Sequence, residues 1–272
     1  SDPKSEFDFV LKQLHENNYI PRVVVLYHGG EPLLNKNLPA FIKELKDIGV
    51  SKTVITTNGS LLKERISKDL IRAGLDEIKF SFDGISADDN NKIRAKGNFL
   101  EEAKNVKEFC KLKKELHSQT PYVIISNIRI CGRSLLETLS AKNNYVFQTP
   151  PEYLTKYFSN ESNEIEFRSF PAMVWPGFEK YGEFEAVYFK NTKPKYCTSL
   201  FETTTILTNG DVVLCCYDLK GELILGNIYQ ESLFNIWNNK KYTNIRSNFK
   251  KQEYCDLCNK CNVVSPRYLC KV

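Results

Sequence analysis

From Phe7 to about Glu183 the chain alternates short β-branched runs with longer amphipathic stretches, which is the rhythm of βα units around a parallel sheet. The pattern predicts strands over 23–28, 53–58, 77–83, 123–130 and 165–170. It predicts helices over 7–17, 38–48, 62–73 and 99–116, the third closed by Gly74. Residues 134–163 read as polar and irregular. Beyond Pro194 the texture changes to a hairpin around Asn209-Gly210-Asp211, a short helix near 232–238 and a cysteine knuckle. A domain boundary is expected near residue 185, giving domains 1–185 and 186–272.

Three of these strands carry information about the inside of the sheet. Ile78, Phe80 and Phe82 are expected to face the helices, which turns Lys79, Ser81 and Asp83 inward. The same parity sets Asn127 and Arg129 against Ile128 and Ile130, and Glu166 and Arg168 against Ile165 and Phe167. A closed eight-stranded barrel fills its centre with branched apolar side chains, so a polar lumen points to an open barrel around a charged ligand. A half-exposed sheet with one wet face would produce the same parity. Arg129, Glu166 and Arg168 are the candidates for binding hydroxyl or charged groups of a substrate, and one of them for accepting a proton.

With 272 residues, 42% hydrophobic and 26% charged, the composition is that of a globular chain with a sizeable core. The net charge of +5 is spread out, as at Lys111, Lys113 and Lys114, so no nucleic-acid footprint is expected. No apolar run is long enough to span a bilayer, and the first residues lack the features of a secretory signal. Of the nine cysteines, five crowd into the C-terminal third before Cys261, in CxxC-like groupings. Metal in a reducing cytoplasm suits that pattern better than a disulfide framework.

Three loops follow three successive strands with a glycine among polar neighbours: Gly29-Gly30-Glu31-Pro32, Thr57-Asn58-Gly59 and Ser81-Phe82-Asp83-Gly84. They fall at the carboxyl ends of the strands, where α/β barrels place their sites. Adjacent glycines let backbone approach a ligand, and Glu31 offers an acceptor to an ammonium group. In the C-terminal third, Cys197 leads to Gly210 and Cys215, then to Cys255-x-x-Cys258-x-x-Cys261, with Cys270 further on. Thiolates in this number suit either structural zinc or an iron–sulfur cluster.

The Gly-Gly-Glu-Pro segment and its companion loops resemble those of the radical S-adenosylmethionine (SAM) superfamily. The resemblance implies an α/β fold, a partial (β/α)6 TIM-like barrel lacking its first strand, followed by a small Cys-rich SPASM/twitch domain. It implies that Gly29, Gly30, Glu31 and Pro32 bind the SAM amino group, that Asn58 belongs to the cofactor rim, that Ser81 and Asp83 lie near the ribose, and that Arg94 pairs with the SAM carboxylate. The hairpin and knuckle resemble the auxiliary-cluster domains of the same superfamily, together with Leu225-Gly226-Asn227-Ile228 and Ile236-Trp237-Asn238. One 4Fe-4S cluster is implied there, held by Cys197, Cys215 and two of Cys255, Cys258 and Cys261. Cys110 and Cys131 read as packing residues.

In that superfamily a CxxxCxxC loop binds the radical-generating cluster ahead of the Gly-Gly-Glu-Pro segment. Here the first cysteine is Cys110, so a second 4Fe-4S cluster is expected from a segment upstream of the sequence. The implied activity is that of an oxidoreductase using a 5′-deoxyadenosyl radical to take hydrogen from a small polar metabolite or sugar. A peptide-modifying maturase and a non-catalytic metal-binding relative are the alternatives. The implied partners are that substrate and a reductant such as flavodoxin or ferredoxin, with neither nucleic acid nor membrane.

Overall fold

In a computed structural model, which describes residues 3–95, 97–142, 144–176 and 182–271, the chain divides into two compact units. One comprises Ile20–Ile130 with Ala141–Pro171, and the other gathers Ser1–Tyr19, Cys131–Ser140 and Ala172–Val272. Helix α1 (Pro3–Glu16) opens the chain in the latter. No described helix is long and apolar enough to cross a membrane.

The first unit alternates strands and helices: β1 (Val23–Val25), α2 (Leu38–Asp47), β2 (Lys52–Thr57), α3 (Glu64–Arg72), β3 (Glu77–Ser81), α4 (Ala87–Ile93), α5 (Phe99–Glu115) and β4 (Tyr122–Arg129). After α6 (Arg133–Ala141) the unit resumes with α7 (Glu152–Tyr157) and β5 (Ile165–Pro171). The strands form one parallel sheet in the order β1-β2-β3-β4-β5. This is the α/β architecture of a partial barrel. Parallel neighbours require crossover helices, and those helices cover one face. Ile55, Ile78, Phe80, Phe82, Val123 and Ile125 bury against Ile42, Leu70, Val106 and Phe109 in a single core. Asp76 anchors the amino end of the sheet, accepting from Thr53 N at 2.7 Å and pairing with Lys46 Nζ at 2.9 Å.

Register decides the faces. Phe80 stands beside Ile125, which stands beside Phe167, while Lys79 neighbours Ile124 and Ile124 neighbours Glu166. Lys79, Ser81, Glu166 and Arg168 therefore share the open face, as the alternation predicts. Asn127 and Arg129 do not. They share the parity of Ile125 and lie on the helix-covered side, while Ile128 is 41% exposed on the open face. Val123-Ile124-Ile125 is apolar at every position, so the run has no parity of its own and only its pairing with β3 sets one.

The 134–163 stretch is more ordered than its polarity suggests. It carries most of α6 and all of α7, and Leu136, Leu154 and Phe158 are fully buried. Leu154 and Phe158 are four residues apart, one helical turn, which is too short a signal for a periodicity window. Helix α4 was also not expected; Ser86 caps it, its hydroxyl accepting from Asp89 N.

The second unit contains β6 (Phe184–Tyr188), α8 (Thr198–Phe201), β7 (Thr205–Ile206), β8 (Asp211–Val213), β9 (Ile224–Asn227), α9 (Leu233–Asn238), α10 (Lys240–Lys250), α11 (Asp256–Asn259) and β10 (Arg267–Lys271). Strands β7-β8-β9 form an antiparallel meander, and β10 pairs antiparallel with β6. Asn209 Oδ1 accepts from Asp211 N at 3.1 Å to close the predicted turn. Gly210 follows in a left-handed conformation (φ 83°) under the Tyr229 ring. Leu200, Val212, Leu214, Leu225, Ile236, Tyr242 and Phe249 form the core. Helix α1 joins it through Gln13, whose Nε2 donates to Ile228 O at 2.8 Å and whose Oε1 accepts from Leu233 N at 2.6 Å.

Candidate functional site

The carboxyl rim of the parallel sheet brings the three glycine loops together. Gly29 is left-handed (φ 69°), and a Cβ on Gly30 would meet nothing within 4 Å, so this backbone borders open space. Glu31 does more than offer an acceptor to a ligand. Its Oε1 accepts from Leu33 N at 3.1 Å and from Thr57 Oγ1 at 2.7 Å, and its Oε2 accepts from Asn58 N at 2.9 Å. Of roughly four lone-pair positions on a carboxylate, three are occupied, so Glu31 chiefly ties the first loop to the second. Pro32 is buried at the start of a 3-10 turn that Glu31 caps. Thr57 Oγ1 in turn accepts from Gly59 N at 3.0 Å. Thr57 was missed in the sequence, although it stands next to Asn58 at the same strand end.

Ser81 remains partly exposed on the open face beside Ser126. Asp83 is buried instead of lining the lumen, because it lies past the end of β3. Its Oδ1 accepts from Ile128 N at 3.2 Å and its Oδ2 pairs with Arg94 Nε at 2.9 Å. Burial pushes its carboxyl upward, and the Arg94 guanidinium opposes that push. Arg94 is thus held at the rim by Asp83. Glu102 is a second buried carboxylate near Arg94, likewise raised by burial, with Asn98 N donating to it at 3.3 Å. Nothing in its place on an amphipathic helix marked it in the sequence.

Two charged groups run along the open face. Glu77 takes Lys52 at 2.6 Å and Lys79 at 3.1 Å. Glu166 takes Arg168 Nε at 2.5 Å and the Tyr122 hydroxyl at 2.6 Å. The Arg168 and Tyr122 hydrogen bonds hold the Glu166 carboxyl below its usual range, which suits orienting a ligand better than accepting a proton. Arg129 belongs to neither group. Its guanidinium stacks on Phe147 at 3.8 Å and Nη2 donates to Thr149 O at 2.9 Å, so the expected inward-facing role is replaced by a packing one.

In the second unit Cys197, Cys215, Cys258 and Cys261 line one cavity walled by Leu200, Leu214, Phe249 and Val264. Burial pushes the Cys215 thiol up to about 12 and Cys261 to about 11. Such thiols ionise only when a metal takes the proton's place, and four soft donors in an apolar wall fit an iron–sulfur cluster. Cys255 caps α11 outside the lining. A hydrogen bond from the Cys258 thiol holds it down to about 6. Tyr217 also lines the cavity, its ring centroid 4.8 Å from that of Trp175. Cys270 pairs with Cys131 in an isolated β-bridge elsewhere in the unit, and Cys110 is buried in the first unit's core.

Comparison with known proteins finds two family models along the chain. The family model of the radical SAM superfamily matches residues 3–127, and that of the SPASM iron–sulfur cluster-binding domain matches residues 197–262. GTP 3',8-cyclase of Helicobacter pylori is 35% identical over 120 residues, 43% of this chain and 36% of that protein. Fe-coproporphyrin III synthase of Methanosarcina barkeri is 39% identical over 77 residues, 28% of this chain and 19% of that protein. The matched stretches therefore cover about a third or less of these relatives' length. Among solved structures, BtrN in complex with AdoMet and 2-DOIA has a TM-score of 0.55 at 17% identity, covering 95% of this chain and 79% of that one. Streptococcus suis SuiB bound to S-adenosylmethionine has a TM-score of 0.55 at 17% identity, covering 96% and 65%; both likenesses concern the fold. Two family models match in order, so residues 3–127 carry a radical SAM superfamily domain and residues 197–262 a SPASM iron–sulfur cluster-binding domain.

Proposed function

We propose that this chain acts as a radical SAM oxidoreductase that removes hydrogen from a small polar metabolite or sugar, with an auxiliary 4Fe-4S cluster in its second unit. The observation that carries the reading is the apolar cavity lined by Cys197, Cys215, Cys258 and Cys261. A tetrahedral zinc site would gather four sulfurs to within about 3.8 Å of one another. A cluster spreads them, each on a different iron. Among the described residues no three such side chains converge on one ion.

SAM with its cluster supplies a hydrogen-abstracting 5′-deoxyadenosyl radical, and an auxiliary cluster supplies an electron acceptor. The chain's own part is to bind and orient. Gly29 and Gly30 bring backbone to the amino group, Glu31 and Pro32 fix that loop, and Asn58 and Ser81 border the ribose. Arg94, held by Asp83, meets the carboxylate with its remaining N–H groups. Lys79 and Arg168 on the open face offer donors to hydroxyl or anionic groups of the substrate. A flavodoxin- or ferredoxin-type reductant and a cytoplasmic setting belong to the same reading.

Anaerobic reconstitution tests it. About four irons and four sulfides per chain are expected, lost on Cys197→Ala or Cys215→Ala; one zinc without sulfide would refute the cluster. A peptide-modifying reaction is the second reading, favoured by the fold shared with SuiB, which has been solved with the precursor peptide SuiA at a TM-score of 0.56. Loss of two hydrogens from a polyol or amino sugar supports the first reading, and a mass change confined to a peptide supports the second.

A further inference from the structure

Four residues that line the cysteine cavity, Ser199, Tyr217, Leu257 and Val263, are only half-buried, so they form the part of its wall next to solvent. Tyr217 is the largest of the four. It follows Cys215, another lining residue, by two positions just past the end of β8, which ties its place to that of the thiol.

The Tyr217 ring is held from outside the cavity. Trp175, which does not line the cavity, packs on it with ring centroids 4.8 Å apart and an interplanar angle of 41°. The Tyr217 hydroxyl donates to Met173 Sδ at 4.0 Å, and a thioether is a weak acceptor, so the ring rather than the hydroxyl is what this side chain brings to the cavity. The segment behind it is anchored on β10. Met173 pairs with Tyr268 in an antiparallel bridge, and Val174 N donates to Arg267 O at 3.0 Å.

Resting on the cluster reading above, we propose that Tyr217, backed by Trp175, is a positioning residue that keeps water from the auxiliary iron–sulfur cluster and so lowers its reduction potential. A cluster bound by four thiolates is anionic and gains a further negative charge on reduction. Water stabilises that added charge and an aromatic ring does not, so a wall that excludes water favours the oxidised form. The reduced cluster is then the stronger donor, able to pass its one electron to a ferredoxin- or flavodoxin-type carrier. A hydrogen bond from the Tyr217 hydroxyl to the cluster would act in the opposite direction, raising the potential.

The test is a redox titration of the reconstituted chain with dithionite, followed by electron paramagnetic resonance, alongside iron and sulfide analysis. Tyr217→Ala is expected to hold the same iron and sulfide while its one-electron equilibrium shifts at least about tenfold toward the reduced cluster, a potential higher by about 59 mV. Tyr217→Phe keeps the ring and loses the hydroxyl, and is expected to shift that equilibrium less than about threefold. Trp175→Ala leaves the lining residues in place and removes their support, and is expected to shift it about threefold or more in the same sense as Tyr217→Ala; it carries the test if Tyr217→Ala does not assemble. A fully loaded Tyr217→Ala with the wild-type potential overturns the proposal. So does a Tyr217→Phe potential lowered by about 59 mV, which would make the hydroxyl the tuning group, and so does failure of both alanine variants to assemble, which would make the ring pair a scaffold of the site. The first two of these outcomes leave the cluster reading intact. Wild-type chain that binds zinc and no sulfide overturns both.

Discussion

Replacing Glu31 by Gln separates a structural role for that carboxylate from a ligand-binding one. The native side chain accepts three hydrogen bonds, from Leu33 N, Thr57 Oγ1 and Asn58 N. Glutamine keeps one acceptor oxygen and presents a donor on the other side, so at least one backbone N–H loses its partner and the remaining bonds lose their charge. Hydrogen bonds to charged groups contribute about 1.5–3 kcal/mol and neutral ones about 1 kcal/mol. For one bond lost and the others weakened at a partly exposed position, the expected cost is about 2 kcal/mol. Glu31→Ala removes all three and should cost about 3–4 kcal/mol. The Thr57 hydroxyl shares this network through Gly59 N, so a double-mutant cycle of Glu31→Gln with Thr57→Val should show coupling of about 1 kcal/mol. Urea unfolding followed by far-UV ellipticity measures these differences. A Glu31→Gln midpoint equal to wild type, or strict additivity with Thr57→Val, would refute the staple. Loss of cofactor affinity alone would then return Glu31 to the role of an ammonium acceptor.

Gly30→Ala should leave folding unchanged or stabilise it by up to about 1 kcal/mol, because a Cβ there meets nothing within 4 Å; it should weaken S-adenosylhomocysteine binding at least about tenfold in calorimetry if the ligand backbone packs on this loop. Gly210→Ala should destabilise the second unit by about 2 kcal/mol or more, since φ is 83° and the new Cβ would lie 2.6 Å from the Tyr229 ring. Tryptophan fluorescence reports that loss, because Trp175 and Trp237 both belong to the unit. The Glu166 carboxyl is depressed in the folded chain, chiefly by Arg168, so its contribution is present above the unfolded value near pH 4.3 and is lost as pH falls through the folded one. Arg168→Met should therefore flatten the decline of urea midpoints below about pH 4.3, and an unchanged slope would rule out the pair as its source.

The amino-acid sequence by itself determined the alternation of strands and helices, the parity of β3 and the two groups of candidate residues. Ile78, Phe80 and Phe82 alternate strictly with polar residues, and such a strand has only one way to bury its apolar side. The glycine loops were equally legible, since strand ends and glycines are local features. Parity in β4 was not local. Three consecutive apolar residues leave the pattern degenerate, and hydrogen bonding to β3 turned Arg129 to the covered face and Ile128 to the open one. The knuckle shows the same limit, for three cysteines at equal spacing are interchangeable in the sequence, whereas in the fold Cys258 and Cys261 line one cavity with Cys197 and Cys215. Asp83 and Glu102 owe their environments to burial, and Asp83 also to Ile128, distant in the chain, quantities that exist only once the tertiary structure has formed.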